Sequence, residues 1–214
     1  FIGNASHEVQ TPIAICLNRV ETLMEDENIT ECQMSQLSKM HSTLEYVARL
    51  NKSLLLLSRI DNNQFRDSVE MNITGQISQY LADYVEVFGY RDIKVDIVES
   101  KDFIVKMNRT WAEILVANIV KNAFVHNVDG GKIEIECTPQ WAEIRNTASN
   151  GPLDATRIFE RFYQGRKKEG STGLGLAIAE TICRQSSMKI SYNFSKNLHC
   201  FRIFSESSYN FVEK

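Results

Sequence analysis

The chain has 214 residues, 43% of them hydrophobic, and its 27 acidic and 24 basic side chains give a net charge of −3. That length and apolar content allow one large domain or two small ones with real hydrophobic cores. The charges form no basic block, which argues against nucleic acid or an anionic membrane surface as a partner. The five cysteines are scattered, so they indicate neither a zinc site nor a disulfide framework and fit a reducing, cytosolic environment.

Membrane signals are absent from the sequence. No apolar run approaches the ~20 residues that a bilayer-spanning helix requires, and no signal peptide is present. The chain begins at Phe1, inside a segment whose pattern is already helical. We therefore expect an excised cytosolic fragment, with any sensor or membrane segment lying upstream.

The first predicted helix covers residues 1–25 and carries a histidine beside a glutamate. This periodicity places His7 on the helix, with Thr11 on the same face and Glu8 next to it. An imidazole nitrogen is a nucleophile at neutral pH, and a neighbouring carboxylate can take its proton and hold one tautomer. Pro12 has no N–H, so the Glu8 carbonyl loses its helical partner and we expect the helix to bend or loosen there. The structural alternative is a solvated His–Glu pair with an incidental proline.

A second helix is predicted over residues 31–61, and Thr30 with Gln33 resembles a capping box at its start. Its apolar side chains alternate by three and four, as in a heptad seam: Leu37, Met40, Leu44, Val47 and Leu54. Asn51 takes one seam position, where it can fix the register. Two such hairpins related by a two-fold axis would bury the seam in a four-helix bundle. The alternative is a monomeric hairpin that covers its seam with the rest of the chain.

The second half mixes helices and strands after a polar boundary at residues 62–70. The pattern predicts, in order, a helix over 73–88 closed by Gly89, strands over 93–98 and 103–107, a helix over 110–127 opened by a Thr110–Glu113 capping box, a hairpin of 133–137 with 141–144, a helix over 174–185 and a hairpin of 188–194 with 198–204. This order favours helices on one face of a largely antiparallel sheet. Residues 147–171 lack periodicity, which is typical of a functional or disordered loop.

Two asparagines interrupt the apolar stripe of the helix over 110–127. Asn118 and Asn122 are four residues apart, so both amides point the same way and can offer oxygens to one hard cation such as Mg²⁺. A polar core pair that hydrogen-bonds a loop is the alternative.

Farther along, residues 173–178 place two glycines at the start of a helix, where the backbone can approach an anion closely. No Gly-Lys-Ser/Thr follows, so this segment is not a Walker A loop.

Five segments, taken in order, resemble the sequence boxes of sensor histidine kinases. Residues 1–12, FIGNASHEVQTP, resemble the H box; 118–126, NIVKNAFVH, the N box; 146–153, NTASNGPL, the first glycine box; 158–163, IFERFY, the F box; and 171–178, STGLGLAI, the second glycine box. Residues 164–170, with Arg166, Lys167 and Lys168, resemble the ATP lid between the last two. The pattern departs from the family at Val9 for Leu, Val125 for Lys, Asn146 for Asp and Ala148 for Gly.

The resemblance implies an α+β chain. Residues 1–64 would form a dimerisation and phosphoacceptor hairpin, and 70–214 a catalytic ATP-binding α/β sandwich of the histidine-kinase/Hsp90 type. The reaction implied is transfer of the γ-phosphoryl of Mg-ATP to His7, with Glu8 as general base. Asn118 and Asn122 would hold Mg²⁺. The nucleotide-binding set would be Asn118, Asn122, His126, Asn146, Arg161, Tyr163, Ser171, Thr172, Gly173, Leu174, Gly175 and Leu176.

The resemblance also implies partners and a location. The chain would act as a homodimer and pass its phosphoryl group to an aspartate on a response-regulator receiver domain; no receiver is visible in this sequence. Thr11 matches the position that orients water when the regulator is dephosphorylated. The full-length protein would lie in a bacterial inner membrane. Two rivals remain: a degenerate kinase that only docks a receiver, motivated by Val125 and Asn146, and an ATPase of the same sandwich class that works by conformational change.

Overall fold

Two long antiparallel helices, α1 over Ile2–Met24 and α2 over Glu31–Asp61, form the first part of the chain. The computed structural model describes residues 2–62, 67–149, 151–165 and 171–206, and side chains from residue 8 onward. The predicted capping box is confirmed, because the Thr30 hydroxyl accepts from Gln33 N at 3.3 Å and Gln33 Oε1 accepts from Thr30 N at 2.9 Å. Helix α1 runs unbroken through Pro12.

The register of the hairpin is marked by one polar contact. His41 Nε2 lies 3.1 Å from Glu21 Oε1 across the two helices. Counting outward from this pair in an antiparallel arrangement places the backbone of His7 at about the level of Leu55. Predicted seam side chains stay exposed in the single chain, with Met40 at 53%, Val47 at 38% and Leu54 at 37%. The described part of the chain therefore leaves these three side chains uncovered.

The second part is built on a five-stranded sheet. Its elements are β1 (Val69–Asn72), α3 (Ile73–Val87), a 3-10 turn (Gly89–Arg91), β2 (Lys94–Ser100), β3 (Ile104–Met107), α4 (Arg109–Val125), β4 (Lys132–Cys137), β5 (Trp141–Thr147), α5 (Gly175–Gln185), β6 (Met188–Ser195) and β7 (Leu198–Ser205). The strand order is β2-β4-β5-β7-β6, with β2–β4 parallel and the other pairs antiparallel. Strands β1 and β3 form a separate antiparallel pair. The predicted α+β class with a largely antiparallel sheet is confirmed.

The two faces of the sheet carry different side chains. One face packs against α3 and α4 around a small apolar cavity whose lining includes Ile77, Val116 and Ile144. The other face carries an ion-pair ladder, in which Glu143 accepts from Arg145 Nε at 2.5 Å and from Arg202 Nε at 2.8 Å. Alternation of apolar and charged residues along each strand produces this division.

The start of α4 corrects one prediction. The capping box at Thr110 and Glu113 is wrong, because α4 begins at Arg109 and its N-cap is Asn108. The Asn108 side chain accepts from Trp111 N at 3.3 Å. Asn is at least as good an N-cap as Thr, so the earlier residue takes the role.

The end of α3 lies within one residue of the prediction. The helix ends at Val87 with Phe88 as its C-cap, and Gly89 follows as the first residue of the 3-10 turn. The left-handed residue that redirects the chain is Asp92, with φ 50°. Strand β1 was not predicted, because four residues at a polar boundary carry too little periodic signal.

The last turn of α2 packs against the second part of the chain. Leu57 and Ile60 are 1% and 0% exposed and belong to the same hydrophobic core as α5. At the rim of this contact, Asp61 accepts from Arg161 at 2.9 Å and lies 3.7 Å from Arg184. The predicted boundary at residues 62–70 lies partly outside the described residues.

The cysteines fall into two groups. Cys137, Cys183 and Cys200 are buried in the sheet domain, and burial raises the pKa of each thiol. Cys16 and Cys32 are exposed on the helical hairpin. Within the described ranges, no helix combines the length and apolarity needed to cross a bilayer.

Candidate active site

The predicted phosphoacceptor lies near the start of α1. The backbone of His7 is helical, and its side chain lies outside the described residues. Glu8 and Thr11 are exposed on the same helix. At the level of Leu55, His7 lies near the end of the hairpin where Leu57 and Ile60 contact the sheet domain.

Asn118 meets the start of α5. Its Nδ2 donates to the Ile114 carbonyl at 2.8 Å, which turns Oδ1 away from the helix backbone. A Cβ placed on Gly175 would lie 2.9 Å from that oxygen, so the glycine allows the two helices to approach here. Asn122 lies one turn farther along the same face of α4 and is also half-buried. His126 follows as the C-cap of α4.

The amino end of α5 has the properties of an anion site. Leu174 precedes the helix and makes no side-chain capping bond, and the first turn carries no acidic residue. The first N–H groups of a helix lack intrahelical acceptors and carry a partial positive charge. Leu174 is buried, and the other predicted members of this segment are half-buried: Ser171, Thr172, Gly173, Gly175 and Leu176.

Gly173 joins this segment to the F box. It has φ +68°, and an added Cβ would lie 2.8 Å from the carbonyl carbon of Phe162. The Phe162 N–H donates to the Gly173 carbonyl at 2.9 Å. Gln164 Nε2 also donates to the Ser171 carbonyl at 2.7 Å. Only glycine fits this conformation and this contact. The lid residues Arg166, Lys167 and Lys168 lie outside the described residues.

Asn146 presents a buried acceptor at the end of β5. The residue is 1% exposed, and its Nδ2 donates to the Thr147 carbonyl at 3.2 Å. Its Oδ1 is buried without a hydrogen-bond partner among the residues that the structure describes. A buried unpaired acceptor is costly, so a ligand that brings a donor to this oxygen gains free energy. The exocyclic amine of adenine is a donor of that kind.

The two remaining predicted residues contact protein groups. Tyr163 Oη accepts from Asp154 N at 3.3 Å, and Arg161 donates to Asp61 on α2. Their assignment to the nucleotide stays a prediction. Sequence reasoning missed Tyr192 and His199, because neither stands in a recognisable motif.

Tyr192 and His199 are linked by a hydrogen bond on the sheet. Tyr192 Oη accepts from Leu153 N at 3.0 Å and lies 2.9 Å from His199 Nδ1. These contacts continue the series that begins at Asn118 and passes through the glycine segment and the F box. The structure therefore links the last four boxes to one another through this chain of contacts.

Two family models match the chain. The "His Kinase A (phospho-acceptor) domain" matches residues 1–63, and the "Histidine kinase-, DNA gyrase B-, and HSP90-like ATPase" matches residues 107–208. Among curated relatives, the swarming motility regulation sensor protein RssA of Serratia marcescens is 30% identical over 200 residues, covering 85% of this chain and 40% of that protein. The heme sensor protein HssS of Staphylococcus epidermidis is 31% identical over 192 residues, covering 85% and 41%.

A solved structure shares the fold of both parts. ShkA, crystallised full-length in complex with AMPPNP, superposes with a TM-score of 0.70 at 16% identity, covering 95% of this chain and 45% of that one. This chain spans about 40% of the length of the curated relatives RssA and HssS. The two family matches, in this order, and the sensor-protein relatives show that the chain belongs to the sensor histidine kinases of two-component systems.

Proposed function

We propose that the chain transfers the γ-phosphoryl group of ATP to its own His7. The observation that carries the proposal is the contact between the Asn118 amide and Gly175 at the uncapped amino end of α5. This contact supports the proposal, because amide oxygens suit a hard cation and the free N–H groups of a helix start suit a phosphate. The unpaired Asn146 Oδ1 adds an acceptor for the adenine amine.

Each residue then has a role in positioning or proton transfer. Asn118 and Asn122 would hold Mg²⁺, whose charge, when it is bound, offsets that of the phosphates. The segment 171–176 would surround the phosphates, and His126 would border them. A nitrogen of His7 forms the new P–N bond while the bond from the γ-phosphorus to the β,γ-bridging oxygen breaks. Glu8 would take the proton released from the imidazole.

Labelled ATP tests the acceptor. The chain is incubated with γ-labelled Mg-ATP and scored for acid-labile, base-stable label, with His7→Ala as the variant and His41→Ala as the matched control on α2. We expect label on wild type and on His41→Ala and none on His7→Ala. Label on His7→Ala would contradict the proposed acceptor. Mg-ATP binding without label on any chain would favour the receiver-binding module instead.

We propose a homodimer built through the hairpin seam. Met40, Val47 and Leu54 remain exposed at seam spacing, and contact with a second copy would bury them. The expected mass from light scattering is twice the 24.5 kDa of one chain.

We propose two domains, residues 1–64 and residues 70–214. We also propose that both lie in the cytosol, where ATP is available and where the five free cysteines stay reduced.

We further propose that a receiver domain accepts the phosphoryl group on an aspartate, and that Thr11 supports the reverse hydrolysis. Thr11 is exposed on α1, four residues after His7, so a docked receiver can reach it. Thr11→Ala should slow dephosphorylation of a phosphorylated cognate regulator severalfold and leave labelling of His7 intact. Thr22→Ala, another exposed threonine of α1, is the control. Equal dephosphorylation rates for both variants would rule out the role of Thr11.

A further inference from the structure

Three segments meet at the hydroxyl of Tyr192. Tyr192 lies on β6, accepts from the N–H of Leu153 at 3.0 Å and lies 2.9 Å from Nδ1 of His199 on β7. Leu153 belongs to the segment that leaves β5 shortly after Asn146. One hydroxyl therefore fastens this segment to two strands of the sheet.

The hydrogen bond between Tyr192 and His199 depends on where His199 carries its proton. Besides the bond from Leu153, the phenol oxygen can either donate to an unprotonated Nδ1 or accept from a protonated one. Burial lowers the pKa of His199 below its usual 6.5, so the imidazole is neutral at neutral pH, and Tyr192 donates to Nδ1 when the ring proton is on Nε2.

The surroundings of His199 contain no competing charge. Tyr192 and Phe194 face its ring from β6. Asn146 faces it from β5, and no charged group among the described residues shifts its pKa. The charged residues of β5, Glu143 and Arg145, lie on the opposite face of the sheet.

His199 stands beside the buried acceptor of the candidate base site. Asn146 and His199 are direct partners in the β5–β7 register, so their Cβ atoms lie about 4.5–5.5 Å apart on one face. The far side of the site is held as well, because Asp154 N donates to Tyr163 Oη at 3.3 Å. Gly165 approaches Leu153 so closely that an added Cβ would lie 2.4 Å from Leu153 Cδ2.

We propose that Tyr192 and His199 are positioning residues for the purine base, holding Asn146 and the Leu153 segment in the binding geometry. The inference rests on the proposed function, since it concerns the same nucleotide site. It predicts that the pair acts through the base, so that it affects ADP and ATP alike. It also predicts that protonation of His199 weakens binding, because the bond with Tyr192 must then reverse its direction and a buried charge stands beside Asn146.

The test measures calorimetric dissociation constants of Mg-ADP and Mg-ATP between about pH 5.5 and pH 8. Tyr192→Phe should weaken binding of both nucleotides by about fivefold to tenfold at the upper pH, because it removes the hydroxyl that bonds both Leu153 and His199. His199→Asn should stay within about threefold, because its amide oxygen can accept from Tyr192 and does not titrate. Tyr90→Phe, at an 82% exposed residue, is the control and should match wild type.

The pH profile separates positioning from general stability. The affinity of the wild type relative to His199→Asn should fall only at pH values well below 6.5, because burial lowers the pKa of His199. Protonation of the nucleotide itself is common to all chains and cancels in this ratio. Affinity of Tyr192→Phe within about twofold of wild type, with only a lower melting temperature, would overturn the inference. If Tyr192→Phe does not fold, the test uses the ratio of the dissociation constants of wild type and His199→Asn. A ratio that does not change with pH overturns the inference.

A comparison variant separates the positioning role of Tyr192 from nucleotide binding itself. If Asn146→Ala loses nucleotide binding and Tyr192→Phe does not, the positioning inference fails and the proposed function stands. If wild type itself binds neither nucleotide, both fail.

Discussion

At the end of β5, a neutral amide takes the place where the family pattern has a carboxylate. A hydrogen bond to a charged acceptor is roughly twice as strong as one to a neutral acceptor. In this structure, however, the amide also donates to the Thr147 carbonyl, which a carboxylate cannot do. Asn146 would therefore bind the proposed adenine amine less strongly than an aspartate, but its amide makes a hydrogen bond within the protein that an aspartate cannot make.

Asn146→Asp should show this exchange. The ionised carboxylate that it introduces would place an anionic oxygen against the Thr147 carbonyl in a 1% exposed site, so we expect the ligand-free protein to lose about 1–3 kcal/mol of unfolding free energy. The loss should shrink as the pH falls and the carboxyl becomes protonated, since burial raises its pKa. Affinity for Mg-ATP should rise up to about tenfold.

Urea unfolding and calorimetry on Asn146→Asp measure both effects. Asn193→Asp on β6 is the matched control, because Asn193 is exposed and its Oδ1 accepts from Phe194 N, which Asp can also do. An unchanged unfolding free energy together with unchanged affinity would contradict the role given to the Asn146 amide.

The residues of the site differ in how far the sequence predicts them. Asn118 and Asn122 stand out because burying a polar side chain in an apolar helical stripe costs free energy unless it finds a hydrogen-bond partner or a ligand. Tyr192 and His199 give no such signal, because their roles depend on cross-strand register and on one hydrogen bond between strands. Register is a property of paired strands, which single-strand alternation does not specify.

At the scale of single elements, the last turn of α2 combines two kinds of contact. Leu57 and Ile60 are fully buried, whereas in the Asp61–Arg161 ion pair the arginine side chain is 51% exposed and the aspartate side chain 38%. Exposed ion pairs contribute about 0–1 kcal/mol, and a buried Ile truncated to Ala costs about 2–5 kcal/mol. The apolar contact therefore dominates the docking of α2 on the sheet domain.

Two substitutions in α2 separate these contributions. Ile60→Ala should lower the unfolding free energy of the sheet domain by about 2–4 kcal/mol, and Asp61→Asn by less than about 1 kcal/mol. The Asp61 effect should vanish in high salt and the Ile60 effect should not. Val87→Ala, at a 64% exposed position, is the control. A larger effect for Asp61→Asn than for Ile60→Ala in urea unfolding would contradict this ranking.

Local signals predicted most elements and misplaced one cap. The long helices and the two hairpins carry strong periodicity, and their positions are confirmed. At α4, two residues with good capping chemistry lie two positions apart, and the pattern alone does not choose between Asn108 and Thr110. Residues 151–165 form turns without helix or strand, so their contacts could be found only from the structure.

At the scale of the whole molecule, the hairpin brings His7, the proposed phosphoacceptor, to the end that contacts the sheet domain. With 1.5 Å rise per residue, His7 lies within about 10 Å along the axis of the turn that contains Leu57 and Ile60, and about 25 Å from the end of α1 at Met24. The sequence predicts two helices and their antiparallel pairing. It does not predict their docking on α5, because that depends on shape complementarity between separate segments.

The burial of three thiols gives the molecule a built-in chemical selectivity. Alkylating reagents attack thiolates, and the raised pKa values of Cys137, Cys183 and Cys200 keep those sulfurs protonated as well as shielded. Cys16 and Cys32 are exposed on the hairpin and remain reactive. A maleimide spin label or fluorophore added to the unmodified chain will therefore react only at Cys16 and Cys32 on the two helices. Distances between these labels can then report on the pairing of two hairpins without any introduced cysteine.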